Sequence, residues 1–152
     1  MKHGMEERST AVRVADEFAV AAHIQHLMDR SQYVRERAAK DLGRLGDSRA
    51  LTPLIEALLH DTAFSVRRSA AYALGTLGDA RAVKPLIQAL DDTSECVRTG
   101  AIEALGMLGY CSIIEPLVKA LVDDESMGVR QRATEVVETL IDALKAVRQH
   151  VS

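Results

Sequence analysis

Apolar residues recur along this chain at intervals of three and four, the spacing that places them on one face of an α-helix. Short breaks interrupt the pattern. They contain either glycine followed by aspartate, as at Gly46-Asp47, or aspartate followed by threonine, as at Asp61-Thr62. Glycine ends a helix in a left-handed turn, and an aspartate accepts the free amide hydrogens where the next helix begins. The pattern predicts eight helices, at about residues 10–28, 33–45, 48–60, 64–77, 80–91, 95–108, 112–122 and 127–150.

The predicted helices form pairs that repeat along the chain. A valine-arginine dipeptide returns in steps of 32, 31 and 32 residues, at Val34-Arg35, Val66-Arg67, Val97-Arg98 and Val129-Arg130. Other columns repeat in the same register: Ala38, Ala70, Ala101 and Ala133; Leu42, Leu74, Leu105 and Val137; Gly46, Gly78 and Gly109; Pro53, Pro85 and Pro116. Helix pairs at such a period indicate an α-solenoid. We expect an all-α fold with one domain at 10–152, built from pairs at about 10–46, 47–78, 79–109 and 110–150, after a flexible tail at 1–9.

The two terminal copies depart from the repeat. The first helix places His23 and His26 in columns that hold core-facing residues in a later copy. The last copy has Glu138 and Ile141 in place of glycines, so its second helix is predicted to run on through Val147. We expect its apolar face to be buried against the preceding repeat as a cap. That face comprises Ala133, Val136, Val137, Leu140, Ile141, Leu144 and Val147.

The repeating unit resembles the HEAT-like repeats of the phycobilisome-lyase type. The resemblance covers residues 19–137 and is strongest at 61–90, where a proline-bearing helix, an aspartate turn, valine-arginine and Leu-Gly-x-Leu-Gly-Asp all occur. It implies an α-solenoid. That family includes scaffold proteins, chromophore lyases, a di-iron hydroxylase and some DNA glycosylases, so the resemblance implies a fold and leaves the function open.

The resemblance also implies that the valine-arginine helices line a concave surface, which is our candidate binding surface. Tyr72 and Met107 lie near its centre, and such side chains are favoured anchors in protein interfaces. The alternative interpretation is a solvated face with no partner. The candidate binding residues are Arg37, Lys40, Arg44, Arg68, Tyr72, Thr76, Glu103, Met107, Arg132 and Glu135, and further positions expected to be exposed there are Glu36, Ser69, Thr99, Gly100, Gln131 and Thr139.

Each repeat carries an aspartate six residues before an arginine. The pairs are Asp29 and Arg35, Asp61 and Arg67, Asp92 and Arg98, and Asp124 and Arg130. One interpretation is a stripe that binds anions. The interpretation we favour is a structural ladder, in which each aspartate caps a helix and each arginine links neighbouring repeats.

The charge balance argues against nucleic acid as a partner. The net charge is −3, and a protein that tracks phosphates needs a basic surface. The sequence contains no apolar run of the ~20 residues that span a membrane, and its first residues lack the apolar stretch of a signal peptide. Cys96 and Cys111 match neither a disulfide framework nor a metal motif, so we expect reduced thiols. We therefore expect a cytoplasmic protein.

Candidate chemistry is sparse. His23 and His26 are spaced to reach one metal ion from a single helical face, but no further ligand completes a site. The di-iron hydroxylase of the resembled family relies on His-Glu pairs, and this sequence contains no such dipeptide. We expect no metal, no cofactor and no enzymatic activity, although a bilin lyase remains an open alternative.

Preformed helices on a curved surface favour binding, because little ordering entropy is lost when a partner docks. We therefore expect a non-catalytic scaffold or adaptor that binds a protein or peptide on the concave face. One alternative is a chromophore lyase-like or accessory subunit. Another is a self-associating module, such as a homodimer formed through Phe18, Val20, His23 and Met28 of the first helix.

Overall fold

The computed structural model describes residues 3–150, with side-chain surroundings for residues 10–149. This part of the chain forms eight α-helices and no strand, so the all-α prediction is confirmed. The helices are α1 (His3–His26), α2 (Gln32–Leu45), α3 (Leu51–His60), α4 (Phe64–Leu77), α5 (Val83–Gln88), α6 (Glu95–Leu108), α7 (Ile114–Asp123) and α8 (Met127–His150). Short 3-10 turns precede α3, α5 and α7, and another follows α5.

The largest difference from the predicted boundaries lies at the amino terminus. α1 begins at His3, whereas the pattern predicted a start at about residue 10. Part of the segment predicted as a flexible tail therefore belongs to this helix. Residues 1 and 2 of that segment lie outside the described residues, so its flexibility stays a prediction, as does the assignment of 10–152 to one domain.

The helices end and begin where the sequence chemistry requires. Gly46, Gly78 and Gly109 adopt φ values of 65°, 69° and 66°, left-handed conformations that residues with a Cβ rarely occupy. The Asp47 carboxylate then accepts the backbone N–H of Arg49, which starts the turn into α3. Proline is the third residue of α3, α5 and α7, where its missing N–H removes no helical hydrogen bond. Proline is therefore compatible with these helices.

The second helices of the pairs, α2, α4, α6 and α8, pack side by side in chain order. Small residues bring them close together: a Cβ built on Gly75 would lie only 2.8 Å from Ala104 Cα, and one on Gly43 only 2.9 Å from Ala73 Cα. The first helices of successive pairs barely touch one another. A layer packed more closely than its partner layer lies on the inside of a curve, so the second helices line the concave side.

The core runs between these two layers and is almost entirely aliphatic. Each layer contributes a column of leucines, and all of these side chains are fully buried: Leu42, Leu74 and Leu105 from the second helices, and Leu54, Leu86 and Leu117 from the first. No helix in residues 3–150 has both the length and the hydropathy needed to span a lipid bilayer.

Burial on α8 ends earlier than the sequence predicted. Ala133 is buried and Leu140 is partly buried, but Ile141, Leu144 and Val147 are 40%, 46% and 64% exposed. The reason is length. α8 has 24 residues, whereas α6, on which it packs, has 14, so the end of α8 runs past its support.

The first helix also differs in detail from the expectation. Phe18 and Met28 are exposed, at 74% and 88%, but Val20 is only 1% exposed and cannot contribute to a surface patch. Val20 belongs to the part of α1 that packs against the core, together with Leu27 and the partly buried Ile24. His26, predicted to face the core, is exposed, and the core contact at this end of the helix is made by the next residue, Leu27.

Candidate functional site

The arginines of the valine-arginine column join each repeat to the next. Arg35 donates from Nε and Nη2 to the two carboxylate oxygens of Asp61, at 2.7 and 2.9 Å, and from Nη1 to the carbonyl oxygen of Asp29 at 2.9 Å. The same geometry recurs for Arg67 with Asp92 and for Arg98 with Asp124. The aspartate six residues earlier therefore contributes its backbone carbonyl, and the carboxylate comes from the following repeat.

The sequence predicted that each ladder aspartate caps a helix, but Asp29, Asp61 and Asp92 stand two residues before the N-cap residues of α2, α4 and α6. From there they organise the turn before the helix and do not cap the helix itself. Asp61 Oδ1 accepts the N–H of Ala63 at 2.9 Å. Burial alone would raise the pKa of Asp61, but the hydrogen bonds from Arg35 and Ala63 and the charges of Arg35 and Arg67 outweigh it, so the pKa lies below its usual range. The pKa values of Asp92 and Asp124 are lowered by the same balance. The carboxylates therefore stay ionised and occupy the donors of the bridging arginines. These arginines have little capacity left to bind an added anion.

The ladder is incomplete at both ends of the described chain. Asp29 accepts the N–H of Ser31 at 2.7 Å, but no arginine among residues 10–28 donates to its carboxylate. Arg130 donates to the carbonyl oxygens of Asp124 and Glu125, at 2.7 and 3.1 Å, and no following aspartate meets it within residues 10–149. The ladder therefore makes complete bridges only between neighbouring repeats.

A separate groove of about 590 Å³ lies on the concave face, between α2 and α6 with α4 along its centre. It brings together six of the ten candidate binding residues: Lys40, Arg44, Arg68, Tyr72, Thr76 and Glu103. The other four, Arg37, Met107, Arg132 and Glu135, lie outside its lining. We refer to this cavity as the α4 groove.

Three lining residues, Gly43, Phe64 and Ser65, were not anticipated from the sequence. Phe64 and Ser65 stand at the start of α4, and the Phe64 side chain is 53% exposed. Phe64, Arg68 and Tyr72 follow one another at intervals of four, which places them along one face of the helix. This spacing was a usable signal, but Phe64 precedes the repeated valine-arginine column and has no counterpart in the other repeats.

Two positions predicted to be exposed are buried and form the floor of the α4 groove. Ser69 is 7% exposed and Gly100 is also buried. A Cβ on Gly100 would lie 3.2 Å from Cγ of Arg68 and 3.7 Å from its carbonyl oxygen. Gly100 therefore lies on the side of α6 that faces the preceding repeat, and its small size lets the helices approach.

Most charges on the concave face are already paired. Lys40 forms an ion pair with Glu36, and Arg132 donates to Glu103 and Glu135 at 2.9 Å each. Arg37 and Arg44 both reach Asp41, at 3.0 and 3.2 Å. Arg68 has no hydrogen-bond or ion-pair partner within residues 10–149. It is the unpaired cation among the candidate binding residues.

A second groove, of about 480 Å³, lies on the edge where the repeated aspartates stand. Its charged lining residues are mostly acidic and include Asp91, Asp123 and Glu125, with the guanidinium of Arg98 and the ammonium of Lys119. The two grooves therefore differ in charge, since the α4 groove presents an unpaired guanidinium and this one presents a surplus of carboxylates. An acidic partner would suit the α4 groove, and a basic partner would suit the second groove.

The described residues do not fit a metal centre. Within residues 10–149, no three side chains of histidine, cysteine, aspartate or glutamate come together in a group that could hold a metal ion. The rings of His23 and His26 meet edge to face with centroids 5.9 Å apart, and the buried Nδ1 of His23 has no hydrogen-bond partner there. Cys96 and Cys111 are free and exposed.

Comparison with known proteins agrees with this architecture. The family model described as HEAT repeats matches twice, over residues 20–106 and 53–138. A search of curated proteins gave no match. A designed armadillo repeat protein superposes with a TM-score of 0.55 at 23% identity, over 80% of this chain and 69% of the other, a likeness of fold alone.

Two natural proteins of solved structure are more similar. Human deoxyhypusine hydroxylase in complex with glycerol has a TM-score of 0.73 and 30% identity, over 92% of this chain and 48% of the enzyme. The chain thus corresponds to about half of that enzyme. The complex of CpcE and CpcF of phycocyanin lyase from Nostoc sp. PCC7120 gives a TM-score of 0.72 and 26% identity, over 84% of this chain and 89% of the matched chain. These neighbours include an enzyme and a lyase subunit, so the fold alone leaves the activity open.

Proposed function

The chain belongs to the HEAT-repeat family, and from this premise we propose that it is a non-catalytic scaffold or adaptor that binds a protein or peptide in the α4 groove. One observation carries the proposal. Phe64 and Tyr72 are each 53% exposed in a groove whose surrounding charges are mostly paired within the fold. Exposed aromatic side chains in a concave site are the usual anchors of protein interfaces.

The rigidity of the site supports the same function. The α4 groove is lined by three packed helices, and its floor residues Gly43, Ser69 and Gly100 are buried in helix contacts. A partner that docks here meets a preformed surface, so little free energy is lost in ordering it.

The experiment is affinity capture from an extract of the source organism, with three forms of the protein as bait. The first is the parent and the second carries Arg68→Glu and Tyr72→Ala. The third is a matched control with Lys84→Glu and Gln88→Ala, two exposed positions on the convex helix α5. We expect one protein to be retained by the parent and the control and lost by the groove variant, and then to bind the purified parent directly.

Circular dichroism must show that all three baits are equally folded. Retention of the same protein by all three, or by none, would contradict the proposal. In either case the α4 groove would not be the binding site.

The likeness to the phycocyanin lyase complex favours a second candidate, a lyase-like or accessory subunit that works with another subunit on a chromophore. This candidate predicts a change in visible absorbance when the purified protein is mixed with a bilin, and loss of that change in the groove variant. The scaffold proposal predicts an unchanged bilin spectrum. We place either activity in the cytoplasm, with support from the free thiols of Cys96 and Cys111.

A further inference from the structure

The feature that sets the α4 groove apart is the unpaired guanidinium of Arg68. Its neighbour in sequence, Arg67, donates hydrogen bonds from all three guanidinium nitrogens. Nε and Nη2 donate to the Asp92 carboxylate at 2.8 and 2.9 Å, and Nη1 donates to the carbonyl oxygen of Asp61 at 2.9 Å. Arg68 has no comparable partner within residues 10–149. Two aromatic rings, Phe64 and Tyr72, lie one helical turn to either side of it. The groove thus offers a cation between two apolar anchors.

The aliphatic stem of Arg68 packs against Gly100, which leaves room for it because glycine has no side chain. The Arg68 Cγ lies over Gly100, so close that a Cβ there would be 3.2 Å away. The corresponding positions in the other repeats are Arg37, Ser69 and Arg132. Gly100 is therefore the one member of this column without a side chain, and it leaves room for the stem of Arg68 on the preceding helix. Packing of the stem on Gly100 restricts this side chain, which reduces the entropy it loses on binding.

From this arrangement we propose that the α4 groove recognises a peptide segment of a partner protein in which an aspartate or glutamate stands beside a bulky apolar side chain. The carboxylate pairs with Arg68, and the apolar side chain packs between Phe64 and Tyr72. An arginine guanidinium favours carboxylates because its planar donors match their two oxygens. This inference rests on the proposed binding function of the groove and adds the chemistry of the partner.

The charges elsewhere on the molecule favour this occupant over others. Lys40 and Glu103 are already engaged by Glu36 and Arg132, so they add little net charge to the groove. Among the described residues, Arg68 is the one unpaired cation that lines the groove, which suits one carboxylate and falls short of the series of phosphate contacts that nucleic acid requires. The acidic groove around Asp91 and Asp123 repels an acidic segment, so such a peptide is directed to the α4 groove.

The test uses a display library of random 12-residue peptides selected on the full chain. Binders are retained if they bind the parent and the Lys84→Glu and Gln88→Ala control but not Tyr72→Ala. We expect the retained sequences to share an acidic residue next to a large apolar one. Synthetic peptides from this set are then measured by titration against Arg68→Ala, Arg68→Lys and Gly100→Ala.

Loss of a charge-assisted hydrogen-bonded pair is expected to weaken binding about 10- to 100-fold in Arg68→Ala. Replacing the peptide's acid by its amide should cost the parent a similar factor and cost Arg68→Ala almost nothing. A peptide whose acid is replaced by lysine should bind Arg68→Glu better than it binds the parent. Gly100→Ala keeps the charge but displaces the arginine stem, so we expect a smaller loss.

The outcomes separate this inference from the function on which it rests. If retained peptides lack an acidic residue and bind Arg68→Ala as tightly as the parent, the groove binds peptides but the carboxylate inference is wrong. If no peptide distinguishes the parent from Tyr72→Ala, the proposed binding function fails, and the inference fails with it.

Discussion

Arg67 and Arg68 are neighbours on α4, yet they belong to two regions that follow opposite rules. Arginine occupies the Arg67 column in every repeat, and the internal copies are fixed by aspartates of the next repeat. The Arg68 column holds Glu36, Thr99 and Gln131 in the other repeats. In a solenoid only the contacts between units must repeat. Columns that repeat therefore maintain the fold, and columns that vary are available for recognition.

Leu74→Ala is the strongest way to test the repeating side of this comparison. Leu74 is fully buried in a column with Leu42 and Leu105, so its truncation leaves a cavity that the stacked helices can only partly close. We expect a loss of about 2 to 5 kcal/mol in the free energy of unfolding, measured by urea denaturation. Thr76→Ala, an exposed change on the same helix, is the control. A loss for Leu74→Ala no larger than that of the control would contradict the assigned register.

Arg98→Ala and Arg68→Ala set the two regions against each other with the same chemical change. Arg98 is 7% exposed, and its loss leaves the Asp124 carboxylate, which is 8% exposed, without its charged partner. We expect Arg98→Ala to cost about 2 to 3 kcal/mol, somewhat less than a fully buried pair because the bridge lies at the rim of a groove. Arg68→Ala should change stability by less than about 0.5 kcal/mol.

Thermal melts of both variants, with the double variant Arg98→Ala and Asp124→Asn as a third, complete the test. The added substitution should recover part of the loss, because it removes the orphaned charge. Equal melting temperatures for the two single variants would remove the distinction between ladder and groove.

The fold could be predicted almost completely because the same constraints appear several times in the sequence. Gly46, Gly78 and Gly109 each mark a helix end, and the aligned leucines mark the core, so one misread copy is corrected by the others. The errors lie where no other copy exists. The start of α1 and the exposed end of α8, at Leu144 and Val147, depend on how far a helix extends beyond the helix on which it packs. Helical periodicity in the sequence does not indicate this length.

The candidate site was harder to predict for the same reason. The exposed side of the second helices could be identified from the repeat, and it contains Arg68 and Tyr72. Phe64 lies outside the repeated columns, and the burial of Ser69 and Gly100 depends on the contact distance between α4 and α6. Only the side-chain positions show that Arg68 is unpaired. From the repeat alone, Glu103 on the next second helix is a possible partner for Arg68, but in the structure Glu103 binds Arg132.

Acid provides a graded test of the ladder as a whole. The pKa values of Asp61, Asp92 and Asp124 are lower in the folded protein than in the unfolded chain, so their contribution to stability is full above the ordinary value of 3.8. It is lost as the pH falls through the folded values. We expect unfolding free energies measured by urea to fall steeply below about pH 4.

The variant that isolates this effect is Asp92→Asn. It should be less stable than the parent at pH 7 and should lose less stability on acidification, because one of the shifted groups is gone. Asp123→Asn, a neighbouring carboxylate outside the ladder, should follow the parent. Parallel pH profiles for Asp92→Asn and the parent would show that the bridges do not contribute through ionisation.

His23→Leu should raise stability by a small amount. His23 stands in the column of Leu54, Leu86 and Leu117, all fully buried, and its buried Nδ1 has no hydrogen-bond partner within residues 10–149. Leucine removes that unsatisfied atom and restores the repeated column, for an expected gain of about 1 kcal/mol by thermal melt. His26→Leu, at an exposed position, should change little. If His23→Leu lowers stability instead, the imidazole fills a space that leucine cannot. A residue that differs from its column would then maintain the fold, which contradicts the distinction between repeating structural columns and varying recognition columns.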